Sequence, residues 1–397
     1  MTSPASAAPR PLPIAFLVGL CVLNHTALAG ARCAVALQAL ALGLPAPGLG
    51  LLLAPFALAS TLGALPLGRW VDRVGARVPA LAGAAGCTAG LALAAAWPLP
   101  GVLAAVGFVM GLGYSATLVA LQCELARDRA DAERRVGFSG FAIGTAASGG
   151  LGPFLAGQCM AHGGARVGFA ACALLSLASL VAAGLRAGRL ATGGRVPEPA
   201  PGPPVAHRGW SWTRGRGGLR RLMLADLLMA FAWNASGFAM PLVGDRNGWA
   251  PDTIGNLLAV FGVAVAGVRL APASWRSRGG DWPTLRRALA VSGAVLALLP
   301  LAHRVPLAFA LQVVLGCGLG AALPSVLALV HAQTPPGASA RVLGLRQSVL
   351  GFGAATLPTG LGALVAVAGL GAALGGLGAM LLLAGLHLEG RTRDLRR

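Results

Sequence analysis

The chain has 397 residues, of which 56% are apolar and only 11% charged, against about a quarter charged in water-soluble domains. That composition excludes a soluble surface. The formal net charge of +19, carried by arginine alone, would suit a nucleic-acid binder, and Arg214-Gly215-Arg216-Gly217-Gly218 imitates an RGG segment; its placement along the chain assigns it to membrane topology instead.

Apolar runs long enough to cross a hydrocarbon core of roughly 30 Å predict helices over 14–38, 48–67, 78–97, 101–125, 136–159, 167–185, 222–243, 253–271, 287–301, 305–332, 342–366 and 369–388. The reading is an all-α polytopic membrane protein of twelve spans. Ala27-Leu28-Ala29 resembles a signal-peptidase site, but the apolar run continues beyond it, so the first run is read as a span. Residues 1–185 form an amino-terminal six-helix bundle and 222–397 a carboxy-terminal one with a short tail. Residues 186–221, where Pro197, Pro199, Pro201, Pro203 and Pro204 sit among eight arginines, form a linker.

Orientation follows from the arginines. With the amino terminus inside, the inner loops, their flanks and both ends hold 27 of them, the outer loops hold Arg166, Arg246 and Arg304, and Arg32 alone lies deep in a span. Both termini are therefore expected in the cytoplasm. Seven of eight tryptophans sit at span ends or in short loops, where indole prefers the interface; Trp233 is the exception. The lack of lysine and the Ala, Gly and Leu excess suggest a GC-rich bacterium, and hence its inner membrane.

The halves repeat. Gly111-Leu112-Gly113 recurs as Gly318-Leu319-Gly320, Arg135-Val136 as Arg341-Val342, and Pro153 as Pro358, at offsets of 207, 206 and 205. Glycines four apart (Gly107/Gly111, Gly140/Gly144, Gly316/Gly320) allow close helix approach.

Between spans 2 and 3, Gly68-Arg69-Trp70-Val71-Asp72-Arg73-Val74-Gly75-Ala76-Arg77 reads as an inner turn with one carboxylate among guanidiniums. It resembles the signature loop of the major facilitator superfamily, GxxxD(R/K)xG(R/K)(R/K), with Gly68, Asp72, Arg73, Gly75 and Arg77 on pattern and Ala76 off it. In span 5, Gly152-Pro153-Phe154-Leu155-Ala156-Gly157 is similar to that superfamily's GPxxGG element, although Ser139, Ser148 and Ala156 replace glycines. A packing kink at Pro153 is the alternative. Gly107 stands where many drug–proton antiporters of the family carry an arginine. The resemblance implies two six-helix bundles around a cavity open to alternate sides, lined by spans 1, 4, 7 and 10.

Polar groups within spans are costly and hence candidates for function. At 1.5 Å per residue, Asn24 and His25 lie about 16 Å into span 1, with Arg32 seven residues on and so on the same face. Tyr114, Trp233 and Asn234 reach similar depth in spans 4 and 7. Substrate contact and simple helix-to-helix bonding compete for Asn24, His25, Trp233 and Asn234, and Arg32 could meet an anionic substrate. Gln312 and Asn256 read as helix-to-helix contacts. Asp226 and Arg346, equally shallow in spans 7 and 11, read as an ion pair before a coupling site. Asp72 is expected to reach the start of span 11 near residues 342–346 and hold an inner gate. Glu124, Asp128, Asp131 and Glu133 read as a solvated loop.

Seven cysteines without CxxC spacing and six scattered histidines point to no metal site, no cofactor and no catalytic constellation. The function expected is secondary transport of a small organic solute, with protons a candidate coupling ion, export or antiport preferred over uptake, and a monomer. The alternatives are a proton- or anion-coupled importer of a small metabolite and, from another class, a multi-pass enzyme or receptor.

Overall fold

A computed structural model describes residues 12–127, 129–192, 217–271, 280–334 and 339–387, at 217, 339–341 and 343 the backbone alone. The predicted linker, apart from its two ends, the RGG-like run up to Arg216, Asp128 and both tails lie outside these residues.

Among the described residues the chain is helical: α1 (Ile14–Ala41), α2 (Ala46–Val74), α3 (Arg77–Ala96), α4 (Pro100–Ala126), α5 (Asp131–Leu185), α6 (Gly217–Arg246), α7 (Pro251–Leu270), α8 (Asp281–Leu298), α9 (Val305–Gln333) and α10 (Ser339–His387). All ten contain windows long and apolar enough to cross a membrane. Prolines start α4 and α7, where the missing amide donor is harmless, and sit inside α2, α5, α6, α9 and α10. Leu65, Leu185 and Val367 are at least three-quarters exposed, as lipid-facing side chains are.

Boundaries differ from the sequence reading in instructive places. α2 runs to Val74, so Gly68 to Val74 are helical and only Gly75 and Ala76 turn the chain. Arginine and aspartate are tolerated in that last turn because it reaches the interface, and Gly75, at φ 81°, ends it. α5 and α10 are too long for a single crossing. Each contains one residue outside helical geometry that divides it into two helices across a kink: Gly164 (φ 72°, ψ −174°) and Gly369 (φ 82°, ψ 162°). Those glycines are 205 residues apart, the offset of Pro153 and Pro358.

Within each half, small residues set the packing. A Cβ added at Gly107 would lie 3.1 Å from the Phe56 ring of α2, and one at Gly316 would lie 2.6 Å from the Phe261 carbonyl of α7, so α4 sits on α2 as α9 sits on α7. The halves meet along α2 with α10 and α5 with α7. The near end of the molecule holds the described ends of the chain, the turns after α2 and α4 and the last residues of α7 and α9; the far end holds Gly164, Gly369 and the turns after α1, α3, α6 and α8. Close approaches between halves run from the far end to about mid-depth. A Cβ at Gly157 would lie 2.8 Å from the Gly255 Cα, one at Gly362 2.5 Å from the Ala46 carbonyl, and one at Gly150 2.7 Å from the Ala259 carbonyl. Nearer the other end, Gly68 of α2 and Gly344 of α10 face open space. The interface is therefore sealed toward the far end, while toward the near end α2 and α10 part and α7 reaches α5 through Arg269, whose Nη1 donates to the Ala142 carbonyl at 3.3 Å.

Candidate functional site

Two cavities adjoin at Trp233, one between the halves and one within the second half. The narrower, about 150 Å³, is walled by α1, α2, α5, α6 and α7, and the wider, about 300 Å³, by α6, α7, α9 and α10. Helical periodicity accounts for the walls: His25, Leu28, Ala29, Arg32 and Cys33 are one stripe of α1, and Asp226, Met229, Ala230, Trp233 and Asn234 one stripe of α6. Trp233 belongs to both walls. Its ring meets Phe261 edge-on at 5.0 Å between centroids, and the Arg269 guanidinium lies 5.8 Å from its ring centre.

Arg32 is the polar end of the narrower cavity. Its Nη2 donates to Asn234 Oδ1 at 3.3 Å, joining α1 to α6 across the halves, while Asn234 Nδ2 donates to the Ala230 carbonyl at 2.8 Å. His25 lines the same cavity and packs its ring on Tyr114 (5.5 Å, tilted 56°), so Tyr114 stands one layer behind the wall. Asn24 turns away from both cavities: it is buried within the first half and donates to the Ser179 hydroxyl and to the Leu20 carbonyl. Of the six candidates on the three spans, His25, Arg32, Trp233 and Asn234 thus come together at the cavities, and Asn24 and Tyr114 do not line them.

Asp226 and Arg346 lie in the wall of the wider cavity, 5% and 8% exposed. Arg346 Nη2 donates to Asp226 Oδ1 at 3.2 Å, and Nε stands 2.6 Å from Oδ2. Low dielectric strengthens this contact but demands that both charges stay together. The span-5 element is packed into the interface. Pro153 lines the narrower cavity, a Cβ at Gly152 would lie 2.6 Å from the Gly30 amide nitrogen, and Gly157 abuts Gly255.

Asp72 is exposed and makes no hydrogen bond among the described residues. The turn it precedes is tied within its own half, the Arg77 amide donating to the Ala191 carbonyl at 3.1 Å. The Ala191 amide donates in turn to Glu124 Oε2 at 3.2 Å, and Glu124 is 3% exposed. Glu124 is therefore no solvated loop residue; the segment following α5 folds back over it. Asn256 accepts from Gln158 at 3.1 Å across the halves, and Gln312 accepts from Ser236 at the same distance, both helix-to-helix contacts. Phe261 and Arg269 were not singled out by sequence. Only the stripe Leu258, Phe261, Gly262, Arg269 on α7 could have marked them, and it needs the knowledge that this face of α7 meets the cavity.

Comparison with known proteins fits this architecture. A sequence profile of the Major Facilitator Superfamily matches residues 16–225 and 222–394. The chain belongs to that superfamily, whose members are secondary transporters and not enzymes. Its fold is similar to a POT family transporter solved with a thioalcohol-conjugated peptide (TM-score 0.77, 14% identity, 94% of each chain covered). It is also similar to the nucleoside transporter NupG (0.76, 13%, 95% of this chain and 100% of that one) and to a peptide transporter POT solved with sulfate (0.74, 15%, 96% and 94%). No curated protein matches by sequence.

Proposed function

We propose that the protein exports a small organic solute across a bacterial cytoplasmic membrane by alternating access, binding it between the halves where Trp233 joins the two cavities. The observation that carries this reading is the narrower cavity, walled by both halves, with backbone-to-backbone contacts between the halves toward the far end and α2 and α10 apart at the near end. On the twelve-span reading, supported by the breaks at Gly164 and Gly369, and with both termini inside, this is a state open to the cytoplasm. An exporter loads from that side. The Asp72 contact with span 11 belongs to the opposite state, in which the near end closes.

Mostly apolar walls with few polar anchors suit an amphiphilic solute better than a sugar, which would need many more hydrogen-bond partners. His25 lines the narrower cavity with an imidazole, a side chain that exchanges protons near neutral pH, so a proton gradient would act through it. Flux of a solute panel into inside-out vesicles, with and without a proton gradient, tests the reading; no protein-dependent flux of any solute would end it. Orientation has its own test. An alkaline-phosphatase fusion at residue 200 should be inactive and fusions within 245–252 active, and the reverse would invert the side from which the cavity opens.

A further inference from the structure

We infer that the transported solute is an organic monoanion, its carboxylate or equivalent charge held by Arg32 and its apolar body lying against Trp233 and Phe261; the inference rests on the transport reading above. The narrower cavity carries one guanidinium, Arg32, and no acid; in the wider one Arg269 is engaged with the Ala142 carbonyl at 3.3 Å, and the acid there is Asp226. Asp226 is already matched to Arg346. Arg32 has one neutral acceptor, Asn234 Oδ1, and its remaining donors meet no hydrogen-bond partner among the described residues. A guanidinium offers five N–H donors in a planar fork suited to two carboxylate oxygens. Held in a span without a counter-ion, such a charge is unfavourable, and a bound anion relieves it.

The surroundings select the rest of the molecule. Beside Arg32 the cavity wall is Leu28, Leu53, Leu258, Phe261 and Trp233, two of these aromatic, and the nearby Ser236 hydroxyl is engaged with Gln312. A cationic solute would meet like charge from Arg32, and a polyanion would find one guanidinium for its several charges in the narrower cavity. One charge on a compact apolar or aromatic body fits both the charge and the wall.

The test is thermal melting of the detergent-purified full chain with phenylacetate, indole-3-acetate and cyclohexanecarboxylate, each beside its primary amide and the corresponding amine. At least one acid should raise the melting temperature in a dose-dependent way, while its amide and amine at the same concentration do not. Arg32→Gln should weaken that acid at least tenfold and Arg32→Lys less, since an ammonium keeps the charge without the fork. Unliganded Arg32→Gln should melt no lower than the wild type, because it removes an unmatched charge from the membrane interior. Equal shifts with amide or amine, an unchanged acid response in Arg32→Gln, no response to any acid, or a lower unliganded melting point in Arg32→Gln would each overturn the inference. Vesicle flux keeps the two readings apart. Acid binding that depends on Arg32 without any flux would retain the anion site and defeat transport, whereas Arg32-independent flux of a neutral solute would do the opposite.

Discussion

Removing the Asp226 carboxylate would strand the Arg346 charge in a wall that leaves it 8% exposed. Breaking one partner of a buried pair costs about 3–5 kcal/mol, so Asp226→Asn should lower folded yield and melting temperature sharply, and Asp226→Leu combined with Arg346→Met should recover most of the loss. His25→Ala should instead leave the protein folded and abolish flux driven by a pH gradient. If Asp226→Asn folds normally and loses only gradient coupling, the two roles are exchanged. Depth counting along each helix is enough to pair Asp226 with Arg346, since both lie one turn inside the same membrane face. It could not pair Arg32 with Asn234, because counting residues says nothing of which way a helix face points or how far a long guanidinium stem reaches. Glu124 was illegible for a different reason: its cover, residues 187–191, is a short non-periodic segment.

At the scale of elements, glycines decide where the halves touch. Gly157 and Gly255 meet backbone to backbone at the closed end, so Gly157→Val has no flexible side chain to displace and must push α5 off α7. Overpacking of this kind costs roughly 1–3 kcal/mol, and here it should act by opening the far end. In a background whose only thiol is Cys33, which lines the narrower cavity, labelling by a membrane-impermeant maleimide from the outside should rise. Gly101→Ala, where an added Cβ meets nothing within 4 Å, should leave labelling unchanged. Unaltered labelling in Gly157→Val would mean that the α5–α7 contact does not close the far end. Spans were legible as apolar runs, and the six-plus-six pattern as repeated residues. Which of 59 glycines make contacts was not, since glycine is frequent here and only the fold tells Gly157 from Gly101.

For the molecule as a whole, the repeat visible in the chain reappears as paired geometry, with Gly164 and Gly369 turning corresponding helices back and α4 on α2 mirrored by α9 on α7. The side to which the cavity opens had no trace in the sequence, because one chain must support both states with the same residues. The unmatched guanidinium of Arg32 has an electrical consequence. If its charge is cancelled by the solute, the loaded carrier crosses as a neutral body and the empty carrier returns as a cation. A full elementary charge is worth about 2.3 kcal/mol per 100 mV, so an interior-negative potential draws the empty protein toward its cytoplasm-facing form and adds to the drive for net anion export beside any pH gradient acting through His25. In reconstituted vesicles, exchange of labelled for unlabelled anion should be indifferent to an imposed potential, while net efflux should produce a current and accelerate with interior-negative voltage. A voltage-dependent exchange would place the moving charge on the loaded carrier instead.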